Sequence, residues 1–217
     1  MSEPARPIAM AGQPPVPESG PTRPPHDFDA AYASSPPPWD IGRPQPAFVR
    51  AAGSGALVGK VLDVGCGTGE HALLAASLGH VAVGVDIASR AVELASAKAA
   101  RRGLEVRFIE YDALGLAQLG EQFDTVLDCG LFHIFEDHDR ALFVESLAMV
   151  LSSGGRYHML CFSELQPGVW GPRRVTQREI RTSFADGWVI DSIEPCIIDI
   201  TIDPAGAHAW YTIAIRT

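Results

Sequence analysis

The nine residues Val61-Leu62-Asp63-Val64-Gly65-Cys66-Gly67-Thr68-Gly69 constrain the fold more than any other stretch of this chain. Aliphatic residues around a single acid suit a buried parallel strand, and glycines at alternate positions let the backbone turn tightly and approach a ligand. Residues 70–78 continue with helical character. Strand, glycine turn and helix amino terminus in succession present unpaired N–H groups and a positive dipole end, which is the physics of a nucleotide-type pocket. A dinucleotide fingerprint would want a third glycine where this chain carries Glu70.

The alternation continues downstream. Residues 81–86 form a second buried strand ending in Asp86. Ser89 is a candidate cap for a helix over 90–102, with Val92, Ala95 and Ala99 on one face and Gly103 as its stop. Residues 106–111 make a third strand before Asp112, and 123–127 a fourth before Asp128. A helix over 139–151 carries Leu142, Phe143, Leu147, Val150 and Leu151 at helical spacing, with Gly154-Gly155 ending it before a fifth strand at 157–162. Strands alternating with helices imply right-handed crossovers and ligands beyond the carboxyl ends of a parallel sheet.

The last third departs from that rhythm. Residues 163–175 form a loop bearing Trp170, and Thr176-Gln177-Arg178-Glu179 is a capping box for a helix through Phe184. Two β-rich runs, 188–202 and 210–216, flank a turn around Asp203-Pro204-Ala205-Gly206 and should pair antiparallel. The expected fold is α/β: a Rossmann-like, seven-stranded, mostly parallel sheet with helices on both faces and an antiparallel terminal hairpin.

Composition bounds the rest. Eleven of the seventeen prolines fall within residues 1–38, so 1–25 reads as a disordered tail that cannot bury enough apolar surface to order itself. Phe28, Tyr32 and Trp39 then mark 26–56 as a docking or lid segment ahead of a single domain over 57–217. The formal net charge of −9 speaks against a nucleic-acid partner, which would have to be bound through neutralised phosphates. Cys66, Cys129, Cys161 and Cys196 show no paired spacing for zinc or a redox dithiol. With no apolar run of membrane length and no secretory pattern, a cytoplasmic location is expected.

The acids carry the chemistry. Asp86 can accept both hydroxyls of a ribose, Asp112 an exocyclic amine such as that of adenine, and Asp128 lies near the glycine turn. Asp63 and these three would be an unfavourable cluster of like charge unless the ligand were cationic. S-adenosylmethionine answers that need, whereas a pyrophosphate does not.

On these residues the stretch 57–162 resembles the class I S-adenosylmethionine-dependent methyltransferases. Asp63-Val64-Gly65-Cys66-Gly67-Thr68-Gly69 matches their first motif, Asp86 their ribose-binding acid and Asp112 their adenine-contacting acid. With the neighbouring Ile87, Ala113, Asp128 and Cys129, these form the expected cofactor set, with S-adenosylhomocysteine as product. The terminal hairpin is similar to their antiparallel seventh strand.

A narrower resemblance rests on Pro38-Trp39-Asp40-Ile41-Gly42-Arg43-Pro44-Gln45-Pro46, similar to the segment before the core in thiol and thiopurine methyltransferase relatives. Together with Leu131-Phe132-His133 it resembles the actinobacterial heterocyclic-toxin methyltransferases, which methylate hydroxylated quinolone-type aromatics. That likeness implies that Trp39 and Gly42 line the cofactor side while Phe28 and Tyr32 cover the acceptor; Trp39 as a plain hydrophobic plug is the alternative. Phe132, His133 and Trp170 are the other candidate acceptor contacts. His133 is either a contact or the base that takes a proton from a phenol or hydroxylamine. Trp170 is either a pocket wall or hairpin packing. His158 reads as structural, Arg173-Arg174 as surface rather than as a contact for an anionic acceptor, and Asp137-His138-Asp139 as a solvated helix start rather than a metal site.

The expected activity is methyl transfer to a hydroxyl, or to nitrogen or sulfur, of a small aromatic heterocycle. A thiol or thiopurine S-methyltransferase is the nearest alternative, and an NAD-dependent oxidoreductase or a non-catalytic nucleotide-binding module is the distant one. Oligomeric state is left open between monomer and homodimer.

Overall fold

The computed structural model describes residues 28–33 and 35–217; the expected tail over 1–25 lies outside them. The seven strands are β1 Val61–Val64, β2 Ala82–Asp86, β3 Val106–Glu110, β4 Phe123–Cys129, β5 Leu151–Phe162, β6 Trp188–Ile200 and β7 Asp203–Arg216. They form one sheet in the order β3-β2-β1-β4-β5-β7-β6. The first five are mutually parallel, and β7 runs antiparallel between β5 and β6. The helices are α1 Phe28–Ala33, α2 Pro46–Gly53, α3 Glu70–Ser77, α4 Ser89–Arg102, α5 Asp137–Val150 and α6 Gln177–Ser183. Short 3-10 helices span Ala113–Leu119 and Phe132–Ile134.

Side-chain alternation along the strands divides the interior into two cores. Leu62 and Val64 join Phe143, Leu147, Ile180 and Phe184 on one face, whereas Val61 joins Phe48, Ala72 and Ala75 on the other. Fully burying a side chain of this size contributes roughly 1.5–3 kcal/mol, so the two layers of helices hold the sheet from both sides. Among the described residues no helix is long and apolar enough to cross a membrane.

Three local expectations change. Ser89 lies inside α4 and not before it; the cap position is Ala88, which has no side-chain oxygen to offer. The free N–H of Arg90 donates instead to Asp29 Oδ1 of α1 at 2.9 Å, so a distant carboxylate caps the helix. The buried face of α4 is accordingly Ala91, Ala95 and Ala99, with Val92 only half-buried.

Gly154-Gly155 does not terminate α5, which stops at Val150 as β5 begins at once. The two glycines sit in a bulge where the register jumps from Phe123 opposite Leu151 to Thr125 opposite Arg156. The terminal hairpin turns at Thr201-Ile202, and Asp203-Pro204-Ala205-Gly206 belongs to β7. Pro204 is tolerated because β7 pairs with β5 only from Ala209 onward, leaving that stretch with β6 as its one neighbour.

Candidate active site

The carboxyl ends of β1, β2 and β3 meet at the glycine turn. Gly65, Gly67 and Gly69 all have left-handed φ, 64°, 52° and 84°. A Cβ on Gly69 would lie 2.6 Å from Phe108 Cζ, and one on Gly67 would lie 2.8 Å from the Tyr32 hydroxyl, so neither position admits a side chain. Asp86 closes this end: Oδ2 accepts from Gly67 N at 2.7 Å and Oδ1 from Ala88 N at 2.9 Å. Each oxygen keeps lone-pair capacity for a hydroxyl. Ile87 beside it is 56% exposed, an apolar surface suited to a flat ring. Asp112 caps the 3-10 helix after β3 by accepting from Leu114 N at 2.9 Å, with Ala113 buried beneath.

The other two acids face the protein. Asp128 accepts from Leu131 N at 2.8 Å, Phe132 N at 3.1 Å and the Tyr157 hydroxyl at 2.6 Å, all in the core. Expected among the cofactor contacts, it instead fixes the turn after β4. Asp63 accepts from Ala72 N at 3.0 Å, while its Oδ1 has no hydrogen bond and lies 4.0 Å from His71 Nδ1. Burial pushes both carboxyls up to about 7. The cluster of four acids therefore carries much less charge than the sequence suggests. Cys66 is buried beside the glycine turn and Cys129 is half-buried at the end of β4; both thiols are unpaired.

The amino-terminal segment folds onto the glycine turn. Trp39 Nε1 donates to the Tyr32 hydroxyl at 2.9 Å, and Phe28 packs edge-on to Trp39 at 6.5 Å. Tyr32 is buried against Ala88 and Ala91. Asp40 takes the Thr68 hydroxyl at 2.9 Å on one oxygen and Gly42 N at 3.1 Å on the other. Trp39 and Gly42 thus stand at the expected end. Trp39 remains 48% exposed, which a buried plug would not be. Phe28 and Tyr32, expected to cover the acceptor, stand at this end too, with Asp29 between them tied to α4.

The second cluster lies past β4 and β5. His133 is buried in the 3-10 helix Phe132–Ile134, and its Nδ1 accepts from Phe162 N at 3.0 Å. Its ring meets Phe162 edge-on at 5.2 Å, and Phe162 meets Trp170 at 5.7 Å. Burial, with the nearby cations Arg140 and Arg174, holds the His133 pKa down at about 3. Phe132 is fully buried and stacked on Phe184 at 5.8 Å, so it is a core residue and not an exposed acceptor contact.

Several residues that carry this arrangement have no conspicuous sequence signal. Arg174 is half-buried and tied down at the surface: its guanidinium donates to the carbonyls of Gln166, Pro167, Gly168, Trp170 and Pro172 and shapes the loop that carries Trp170. Arg173 pairs with Asp137 at 2.6 Å and with Glu179, which binds the helix start at Asp137 to the capping box. Glu70 is buried against Lys98 at 2.6 Å and Arg102 at 2.8 Å, clamping α3 to α4. His158 is buried with Nδ1 2.8 Å from the Tyr211 hydroxyl, a structural pairing.

Comparison with known proteins bears on this geometry. Residues 61–155 match the family described as a methyltransferase domain. A 2-heptyl-1-hydroxyquinolin-4(1H)-one methyltransferase of Mycobacteroides abscessus is 36% identical over 162 residues, covering 73% of this chain and 71% of that protein. The chain belongs to the class I S-adenosylmethionine-dependent methyltransferases. This methyltransferase is also 30% identical over 138 residues to a probable thiol methyltransferase of Arabidopsis thaliana, covering 62% of this chain and 61% of that one. A solved structure concerning conversion of a disulfide bond into a thioacetal group during echinomycin biosynthesis superposes with a TM-score of 0.79 at 36% identity, covering 87% of this chain and 91% of that one. Magnesium protoporphyrin IX methyltransferase from Synechocystis, with bound S-adenosylhomocysteine, shares the fold at 22% identity and a TM-score of 0.63, over 78% of this chain and 80% of that one. The methyltransferase uses S-adenosylmethionine, and the nicotinamide and non-catalytic alternatives fall away.

Proposed function

We propose that this methyltransferase methylates an oxygen of a small aromatic heterocycle, with Gly65 to Gly69, Asp86, Ile87, Asp112 and Ala113 holding the cofactor and Trp39 and Gly42 closing over it. S-adenosylmethionine when bound supplies an electrophilic methyl group on a sulfonium. The chain's own contribution is placement, which can account for much of the acceleration of an in-line displacement. Asp86 suits the ribose because its two oxygens are already oriented by Gly67 N and Ala88 N. Trp170, 38% exposed, offers an aromatic face to an acceptor and is backed by the buried Phe162, which in turn meets the His133 ring. The observation that carries the reading is this aromatic wall beyond β4 and β5, in a chain 36% identical to a hydroxyquinolinone methyltransferase.

Sulfur is the second reading, favoured by the likeness to the thioacetal-forming structure and to the thiol methyltransferase. The four unpaired thiols suit a reducing, cytoplasmic setting. The test is a panel of hydroxyquinolines, flavonoids, phenols and thiols with S-adenosylmethionine, the product mass and methylated atom being determined. O-methylated heterocycles are expected; methylation of thiols alone would replace this reading with the second.

A further inference from the structure

Among the described residues, the buried side-chain atoms that lack a hydrogen-bond partner are Asp63 Oδ1, Arg140 Nε, His158 Nε2 and Thr212 Oγ1. His133 Nε2 has no hydrogen-bond partner among the described residues either, yet it is not fully enclosed as those four atoms are, so this atom meets the outside although the ring as a whole is only 6% exposed. It does so beside Gly130, where a Cβ would lie 3.4 Å from both Cε1 and Nε2. Gly130 follows β4 directly, at the carboxyl edge of the sheet where ligands gather. A left-handed φ of 86° favours glycine at that position.

The other ring nitrogen fixes the proton. Nδ1 accepts from Phe162 N, a backbone donor that cannot reverse its role, so the neutral ring carries its hydrogen on Nε2. We infer that His133 meets the acceptor as a fixed neutral N–H donor and not as a base, so that the enzyme takes acceptors that arrive ionised: ring-acidified heteroaromatic hydroxyls and thiols, in preference to phenols of ordinary acidity. This rests on the heterocycle reading above. The acceptor anion's lone pair forms the bond to the methyl carbon as the carbon–sulfonium bond breaks onto sulfur, leaving two neutral products and no proton to remove. Until then Nε2–H hydrogen-bonds the anion and holds it in line. The charged groups facing the ring are Arg140 of α5 and Arg174 of the loop, both cations that oppose protonation of the imidazole and favour an anion beside it.

The experiment pairs two variants with a series of hydroxyquinolines of graded acidity. His133→Asn keeps an oxygen for Phe162 N but removes the outer donor; His133→Gln restores an N–H near the Nε2 position. We expect His133→Asn to lower kcat/KM about 10-fold with unchanged melting and S-adenosylhomocysteine affinity, and His133→Gln to recover most of it. The kcat/KM inflection of the wild type should move with the acidity of each acceptor. Nitrogen-15 NMR of the protein alone should show the Nε2–H form throughout pH 5–8. An inflection fixed across acceptors and abolished in His133→Asn, or an Nδ1–H or doubly protonated ring in that range, would overturn the inference while the heterocycle reading stands. If no heterocycle in the series is methylated, the acceptor reading fails and the inference fails with it.

Discussion

The two ends of the ligand edge are held together by contacts of very different reach. At the cofactor end Asp86 binds Gly67 across 19 residues, and strand, turn and helix follow one another directly. At the acceptor end His133 answers to Phe162 across 29 residues, and Gln166 to His208 across 42. The amino-terminal segment reaches further, with Gln45 bonded in both directions to Asp199 across 154 residues. Local pattern builds the first end, which is common to many chemistries. The second needs the finished fold before its residues meet, and it is there that an acceptor can be selected.

The sharpest way to test that division is Asp86→Ala. Losing the charged group proposed to hold two ribose hydroxyls should cost about 3 kcal/mol, or roughly 100-fold in S-adenosylhomocysteine affinity by calorimetry. A loss below about 5-fold would mean that the cofactor end is not organised around this residue. Arg174→Lys should act at the other end only. Lysine lacks the planar fork that serves five carbonyls, so the acceptor KM should rise about 10-fold, with roughly 1 kcal/mol lost in denaturant unfolding. Cofactor affinity should stay within about 2-fold; a parallel fall in cofactor affinity would show that the two ends are one unit.

What the sequence revealed follows the same division. The glycine turn, the strand ends at Asp86 and Asp112 and the capping box at Thr176 are legible because each is a short pattern with its own mechanism. The cap of α4 is not legible at Ser89 because the carboxylate that accepts from Arg90 N, Asp29, lies 61 residues before it. Glu70 stands in the sequence only as a missing glycine, although it anchors α3 to Lys98 and Arg102. The part Arg174 plays in its loop has no sequence signal, because irregular loop carbonyls have no periodicity to betray their partner. The four acids pointed to the correct cofactor through an argument that the structure supports only in part. Asp86 and Asp112 stand at strand ends, but Asp63 and Asp128 are buried and close to neutral.

Those two buried acids give the smallest effect and the finest comparison. Raised carboxyls and depressed imidazoles stand at both ends: Asp63 and Asp86 with His71 at the cofactor end, Asp128 with His133 at the acceptor end, while His158 is a third depressed imidazole in β5. A carboxyl raised to about 7 contributes stability that is full below about pH 4 and lost as pH rises to 7. An imidazole lowered to about 4 or 3 contributes stability that is full above about pH 6.5 and lost as pH falls. Between about pH 5 and 6 the unfolded chain therefore binds three histidine protons that the fold refuses, and the fold keeps carboxyl protons at Asp63 and Asp128, and in part at Asp86, that the unfolded chain releases. The two sets largely offset, so stability should change by no more than roughly 1 kcal/mol per pH unit. Asp63→Asn or Asp128→Asn removes one retained proton and should steepen the rise of stability with pH by roughly 1 kcal/mol per pH unit in urea unfolding at pH 5 and 6. Equal steepening in both variants would show that the two ends balance their buried charge independently. Steepening in one alone would place the compensation at that end.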